Sequence, residues 1–300
     1  MRLDILLANK NPDFSRSMLQ KLIKNGQVKV DGAVKTKGGL DVADDAKIEI
    51  VSTPAIDFKK DKLKLEKAII FEDDNCLVIN KPAGVLVHQK GGLASEWTVA
   101  DLVKDHFDKS ELKRNKDNNR LGIVHRLDRA TSGVMICAKN LTTASFLAKQ
   151  FSERKAKKTY LAITEAIPKM STARIDLPIT RNPKRPASFM VDASGKTAIT
   201  DYEVVAELAD KKALIKLKPL TGRTHQLRVH LNYLHAPIMG DSLYGVNTKK
   251  RTHFKNSPMF LHAYQLEITL PVKDGNNIRK TFTAELPSYF KEKIGGAVEL

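Results

Sequence analysis

A carboxylate, Asp128, lies between two arginines in the segment 125–133, which reads HRLDRATSG. The runs 122–124 and 134–136 on either side are apolar, which predicts buried strand-like segments that hold the carboxylate in a cleft rather than on a mobile surface loop. Neighbouring cations favour the ionised form of a carboxylate. A charged carboxylate placed in this way can act as a nucleophile or as a general base.

An aromatic residue follows about thirty positions later, in the segment 157–163, which reads KKTYLAI. This segment begins basic with Lys157 and Lys158 and becomes strand-like, so Tyr160 is expected on a defined face of a strand. A ring held there could stack on a nucleobase, a contact worth roughly 1–3 kcal/mol whatever the base.

A third segment, residues 221–231, reads TGRTHQLRVHL and predicts a helix. Thr224 is expected to cap it, with Leu227 and Leu231 facing the core. Arg228 then lies on an adjoining stripe near the first turn, where it could reach out from the edge of a sheet.

The spacing of residues excludes several other kinds of site. A kinase catalytic loop has Asp directly after Arg, whereas Leu127 separates them here. A Walker loop ending at 195–197 would need glycine where Met190 stands, and Ser132 lacks a G-x-S-x-G elbow. Histidines at 225, 230 and 235 point in different directions on a helix and cannot share one metal ion.

The chain has 300 residues and a net charge of +17, which favours a polyanionic partner such as nucleic acid. Its two cysteines, Cys76 and Cys137, lie in apolar runs and are expected to be buried in a reducing compartment. No stretch has the length of a signal peptide or a membrane span. The composition predicts a cytoplasmic protein that does not enter membranes.

Residues 1–53 are predicted to form a small α/β module. Ser15 is a plausible helix cap, Gly26 a helix stop, and Asp31-Gly32 a tight turn between strands. Several cations on or beside this helix and turn are candidate RNA contacts: Arg16, Lys21, Lys24 and Lys29.

Residues 54–66 are rich in lysine and read as a linker, and 67–300 as a larger domain. Irregular alternation of strands and helices predicts an α+β fold on a mixed, largely antiparallel sheet. A β-hairpin is expected around 69–79, helices at 99–107 and 141–151, a mobile loop at 109–120, and strands at 158–165, 199–207, 213–219 and 260–270.

The signature HRLDxxTSG, followed in order by Lys158-x-Tyr160 and by TGRTHQLRVHL, closely resembles the motifs of the RluA-family pseudouridine synthases. The N-terminal helix and basic hairpin resemble the αL RNA-binding motif first described in a small-subunit ribosomal protein. The resemblance covers essentially the whole chain and implies a catalytic domain with an accessory RNA-binding module.

The resemblance implies isomerisation of uridine to pseudouridine in structured RNA, a redox-neutral reaction that needs no cofactor or metal. Asp128 would be the catalytic carboxylate, with Arg228 pairing with it. Tyr160 would pack on the uracil and assist removal of the proton from carbon 5. Six residues of the larger domain are candidate RNA contacts: Arg126, Arg129, Lys158, Arg223, His225 and Gln226.

Large-subunit ribosomal RNA is the expected substrate and transfer RNA the alternative, with the protein acting as a monomer. A non-catalytic RNA-binding assembly factor is a further alternative, but such a protein would have no chemical reason to keep Asp128, Tyr160 and Arg228 together.

Overall fold

The computed structural model describes residues 1–11, 16–24, 26–51, 64–89, 97–114, 120–245, 258–272 and 277–295. The chain divides into two compact units. The first comprises Met1–Leu63 with His88–Trp97, and the second Lys64–Val87 with Thr98–Leu300. Within the described ranges, no helix is long and apolar enough to cross a membrane.

The first unit packs two helices against a small antiparallel sheet with the strand order β2-β1-β3. Its elements are α1 (Leu3–Lys10), α2 (Arg16–Lys24), β1 (Val28–Val30), β2 (Ala33–Lys35) and β3 (Ile48–Ile50). The two helices bury leucines against the valines of β1, and these side chains form a core separate from that of the second unit.

The predicted helix and turn of this unit are confirmed. Gly26 has a φ of 71° after α2, and Asp31 and Gly32 both have positive φ (49° and 80°), as a two-residue hairpin turn of type I′ requires. Ser15 lies outside the described residues, so its capping role stays a prediction. Helix α1 was not predicted, because its apolar residues, interrupted by Asp4, show no one-sided periodicity.

The second unit is built on a nine-stranded sheet. Its strands are β4 (Ile69–Glu72), β5 (Cys76–Lys81), β6 (Ser132–Ala138), β7 (Lys157–Thr164), β8 (Thr172–Asp176), β11 (Ile199–Leu208), β12 (Lys212–Pro219), β13 (Leu261–Leu270) and β14 (Ile278–Thr283). Their order is β4-β5-β6-β13-β7-β12-β11-β8, with β14 also paired to β13. A separate hairpin joins β9 (Ile179–Arg181) and β10 (Phe189–Val191).

All these pairings are antiparallel except that of β6 with β13, which is parallel. The predicted α+β fold on a largely antiparallel sheet is therefore confirmed. The four later strands agree with the prediction to within one residue at each end. Cys76 and Cys137 are buried free thiols on neighbouring strands, as expected.

The described residues of this unit include five α-helices of 6 residues or more. They are α3 (Val99–His106), α4 (Lys109–Arg114), α5 (Leu141–Ser152), α6 (Gln226–Tyr233) and α7 (Ser288–Ile294). In α5 the buried residues are Thr143, Leu147 and Gln150, whereas Leu141, expected on the buried face, is exposed. The predicted faces of α3 and α6 are confirmed by the burial of Leu102, Leu227 and Leu231.

Two local predictions were wrong. The expected loop 109–120 begins as helix α4, because the Asp108 carboxylate accepts hydrogen bonds from the amides of Ser110 (2.8 Å) and Glu111 (3.0 Å); residues 115–119 lie outside the described ranges. The expected strand-like run 122–124 forms only a single bridge, between Ile123 and Cys137.

Gly133 lies where strand β6 pairs closely with strand β13. It pairs with Ala263 in the parallel ladder and has a φ of 117°. A Cβ atom at this position would overlap the Ala263 backbone. Glycine at the end of the HRLDRATSG segment is thus required by the backbone, and it fixes where the segment enters the sheet.

We predict that Gly133→Ala destabilises the protein by about 3 kcal/mol or more, since both strand separation and backbone conformation must change. Urea unfolding measures this change. Gly222→Ala is the control, because Gly222 has open space around its Cα. Similar unfolding free energies for the two variants would show that the strand contact is not restrictive.

Candidate active site

Asp128 lies in the loop that leads into β6, and this loop is anchored by His125. The His125 Nε2 atom accepts a hydrogen bond from the amide of Ile136 at 3.0 Å, and its ring stacks on Phe151 with centroids 4.4 Å apart. Burial lowers the pKa of His125 to about 3, so the imidazole is neutral and can accept this bond. The catalytic candidate is therefore carried by a fixed loop.

A second anchor is Lys81, at the end of β5, whose side chain is fully buried. Its ammonium group donates hydrogen bonds to the carbonyls of Pro82 (2.9 Å), Val85 (3.0 Å) and Arg129 (3.3 Å). Burial lowers the pKa of Lys81 to about 7, while the nearby Asp128 charge opposes this shift. Lys81 thus connects the turn that contains Pro82 and Val85 to Arg129, the residue that follows Asp128.

Arg228 connects two carboxylates. Its Nη1 atom donates to Asp128 Oδ2 at 3.1 Å, while Nε and Nη2 donate to the two oxygens of Asp241 at 2.7 and 2.8 Å. The Asp241 side chain is fully buried and that of Arg228 is 8% exposed. Burial would lower the pKa of Arg228, but the hydrogen bonds and charges of Asp241 and Asp128 outweigh it and raise that pKa. The guanidinium is permanently charged and fixed in orientation.

Asp241 also organises the loop that carries it. Its Oδ1 atom accepts hydrogen bonds from the amides of Leu243 (2.9 Å) and Tyr244 (3.1 Å). The Tyr244 ring lies 5.1 Å from the Arg228 guanidinium carbon. The Tyr244 hydroxyl lies 3.0 Å from His225 Nδ1, while His225 Nε2 is 3.7 Å from Asp128 Oδ2. A second layer of side chains thus surrounds the Asp128–Arg228 pair.

The start of helix α6 differs from the prediction. Thr224 is not its cap: the N-cap residue is His225, which has a left-handed backbone (φ 57°) and makes no side-chain capping bond. The Gln226 side chain instead accepts a bond from the Arg223 amide (3.0 Å) and donates to the Ile199 carbonyl (3.0 Å). The left-handed backbone of His225 turns the chain, so that the His225 ring faces the Asp128 carboxylate and the Gln226 side chain is buried.

A cavity of about 130 Å³ opens beside the Asp128–Arg228 pair. This volume is well below the roughly 300–1,000 Å³ of pockets for drug-sized ligands, and it suits a single flat ring. Tyr160 of β7 forms part of the wall. Burial raises the pKa of the Tyr160 phenol, and the Asp128 charge raises it further, so the phenol stays protonated near neutral pH. Lys158 lies at the same wall, within 3.5 Å of the Thr221 carbonyl, and burial lowers its pKa.

The structure brings together most of the predicted site residues. The cavity is lined by Arg126, Asp128, Lys158, Tyr160, Arg223, His225, Gln226 and Arg228. Arg129 is exposed and is not part of the cavity wall. Lys24 and Lys29 belong to the first unit, and the side chains of Arg16 and Lys21 lie outside the described part of the structure.

Three residues of the site were not predicted: Lys81, Asp241 and Tyr244. Lys81 stands at the start of the turn-like segment 81–84, and Asp241 follows the apolar run 236–239. In neither place does the local sequence indicate the partner. Within the described residues, no group of three or more His, Cys, Asp or Glu side chains is arranged to hold a metal ion.

We predict that Asp241→Asn destabilises the protein by about 3 kcal/mol, because it leaves the buried Arg228 charge without its anionic partner. Chemical denaturation gives the change in unfolding free energy. Asp201→Asn is the matched control: Asp201 also forms a bidentate pair, with Arg174 at 2.7 and 2.9 Å, but that pair is exposed and should contribute less than about 1 kcal/mol. Equal losses in the two variants would contradict a special role for the buried pair.

Comparisons with known proteins identify the family of each part of the chain. Residues 75–233 match the family model for RNA pseudouridylate synthase, and residues 1–47 match the S4 domain. The chain is 36% identical over 302 residues to "Ribosomal large subunit pseudouridine synthase D" of Borreliella burgdorferi, covering 97% of this chain and 87% of that relative. It is also 36% identical over 246 residues to the protein of the same name from Vibrio parahaemolyticus, covering 81% of this chain and 73% of the relative.

A solved structure of human RNA pseudouridylate synthase domain containing 4 superposes with a TM-score of 0.59 at 28% identity, covering 78% of this chain and 94% of that one. The resemblance inferred from the three sequence motifs is thereby confirmed along nearly the whole length. The chain belongs to the RNA pseudouridylate synthases, in the RluA family, and carries an S4 domain at its N-terminus.

Proposed function

We propose that this enzyme converts uridines of large-subunit ribosomal RNA to pseudouridine, with Asp128 as its catalytic carboxylate. The observation that carries the assignment of Asp128 is its contact with Arg228, 3.1 Å away, at the wall of a ring-sized cavity. Two relatives with 36% identity are named for the ribosomal large subunit, which supports the choice of RNA. Transfer RNA is the alternative substrate.

The reaction breaks the bond between ribose carbon 1 and uracil nitrogen 1, turns the base, and joins carbon 5 of the uracil to the ribose. The proton on carbon 5 is lost and nitrogen 1 gains one, so atoms and electrons balance without a redox partner. Asp128 has three possible roles: attack on the ribose, attack on the uracil ring, or removal of a ribose proton. A stacked base cannot reach a cavity wall, so the target nucleotide must leave its helix.

Arg228 and Tyr160 have complementary roles in this proposal. Arg228 directs one Asp128 oxygen and leaves the other available to the substrate, because only Oδ2 takes part in the pair. Tyr160 offers a protonated ring on which the uracil stacks. Burial favours the protonated phenol in the free enzyme, and assistance with loss of the carbon-5 proton late in the reaction is a second role of Tyr160 in this proposal.

Exposed cations around the cavity and in the S4 domain would hold the RNA backbone. Arg126 and Arg223 are exposed at the cavity, and Lys24 is exposed in the first unit. Such contacts position the RNA and supply affinity that depends on salt. The proposed enzyme acts in the cytoplasm. It acts as a monomer, because one chain supplies the residues of the proposed site.

The substrate and the carboxylate are tested together by mapping pseudouridines in ribosomal and transfer RNA from cells with the gene, without it, and with Asp128→Asn. We expect sites in large-subunit RNA to disappear on deletion and to return with the wild-type gene only. Purified Asp128→Asn should bind RNA within a few fold of wild type and turn over at least about 10³-fold more slowly. Restoration by the variant would reject Asp128, and loss confined to transfer RNA would reject the substrate.

Removal of residues 1–60 should leave a folded, active catalytic domain that binds RNA more weakly and with a flatter dependence of log affinity on log salt. The reason is that each lost phosphate contact reduces the slope by roughly 0.7–0.9. Lys24→Gln with Lys29→Gln in the full chain is the companion variant, because it removes charge and keeps the domain. Unfolding of the truncated chain, or an unchanged slope in both proteins, would show that the N-terminal domain supports the core and does not bind RNA.

A further inference from the structure

A second and larger cavity, of about 580 Å³, lies beside the candidate active site. It is formed on strands β7, β12 and β13 of the same sheet. Lys158 and Pro219 line both cavities, so the two cavities meet at these residues, while the strand register places Lys216 and Lys218 on the face of the sheet opposite Tyr160. We call this second cavity the lateral groove.

Positive charge predominates in the lateral groove. Five cations line it, namely Arg154, Lys157, Lys158, Lys216 and Lys218, against one carboxylate, that of Glu267. Glu267 is already paired with Lys157 at 3.2 Å and with Arg279 at 2.9 Å. In the described part of the chain, no ion pair involves Arg154, Lys216 or Lys218. Lys216 and Lys218 lie opposite Glu203 and Asp201 in the β11–β12 ladder, so these acids offset part of their charge, while the residues that line the groove remain mainly cationic.

The spacing and the apolar surface of the groove also suit a polymer of nucleotides. Lys216 and Lys218 are two positions apart on β12, so they lie on the same side of the strand, roughly 6.6 Å from each other. Tyr264 and Leu220, which is 36% exposed, add an aromatic ring and an apolar surface to the wall. Basic grooves that contain aromatic rings bind unpaired nucleic-acid strands, because phosphates lie on the cations and bases stack on the rings.

We propose that the lateral groove binds the unpaired RNA strand that flanks the target uridine on one side. Phosphates contact Lys216 and Lys218, and one base stacks on Tyr264. The proposal rests on the proposed function of the adjacent cavity, since a uridine held beside Tyr160 has its neighbours in the strand at the shared wall. An unpaired strand fits better than a duplex, because a base that is stacked and paired within a helix has no free face for Tyr264.

The first test compares the salt dependence of RNA binding by two full-length double variants. The probe is a single-stranded RNA of about nine nucleotides with one central uridine, within the usual site sizes of strand-binding proteins. Lys216→Gln with Lys218→Gln should lower the slope of log affinity against log salt by about 1.4, or roughly 0.7 for each lost phosphate.

The matched control is Lys169→Gln with Lys211→Gln, which makes the same change in net charge. Both lysines are exposed, and Lys211 precedes β12, at the opposite end of that strand from Pro219 and roughly 25 Å away. This control should bind RNA with the wild-type slope. Equal changes in the two double variants, or no change in either, would overturn the proposal.

The second test locates the strand with two shortened RNAs, each lacking the nucleotides on one side of the uridine. The groove variant should lose affinity for only one of them, and Tyr264→Leu should bind that RNA about fivefold or more weakly. Equal losses on both RNAs, or an equal loss on a duplex of the same length, would overturn the proposal. Failure of the wild-type enzyme to isomerise uridine would reject the proposed function, whereas the salt slopes report on the groove independently.

Discussion

The geometry of the active site depends on one guanidinium shared by two carboxylates. Arg228 uses its Nε–Nη2 edge for Asp241 and its remaining Nη1 group for Asp128. Two nearly parallel hydrogen bonds to a fully buried carboxylate fix the plane of the guanidinium, and this plane sets the direction of the third bond. A lysine could not replace it, because an ammonium group has no planar edge.

This arrangement is costly to build, because three charges are removed from water within one small region. The chain offsets the cost by giving each group more than one partner: Asp241 also accepts two amides of its own loop, and the Tyr244 ring lies near the guanidinium. Contacts of the sheet fix the loop that carries Asp128. Gly133 brings β6 close to β13, and Lys81 ties the carbonyl of Arg129 to the end of β5. Asp128 is thus held by backbone contacts, and Arg228 by a buried ion pair.

Much of this structure could be predicted from the sequence, and the exceptions have physical causes. Strands such as β7 and β12 contain short runs of consecutive buried residues, and Asp31 and Gly32 adopt the positive φ angles that their turn requires, so local patterns identify them. The three chemical motifs correctly indicated that Asp128, Tyr160 and Arg228 line one cavity. Asp241 could not be assigned, because its partner Arg228 is 13 residues away in the chain and only the fold brings them together. Lys81 also bonds to nearby carbonyls, but its link to the site is the carbonyl of Arg129, 48 residues away. The helix start at Gln226 was missed because His225 adopts a left-handed backbone in place of an ordinary cap.

The most direct test of this account is a double-mutant cycle between Arg228 and Asp241, measured as the single-turnover rate of pseudouridine formation at saturating RNA. Arg228→Lys, Asp241→Asn and the double variant are compared with wild type. If Asp241 acts only by orienting Arg228, the double variant should be no slower than Arg228→Lys alone, with a coupling energy of at least about 1 kcal/mol. Additive losses would show that Asp241 affects the reaction independently of Arg228 and would contradict the account.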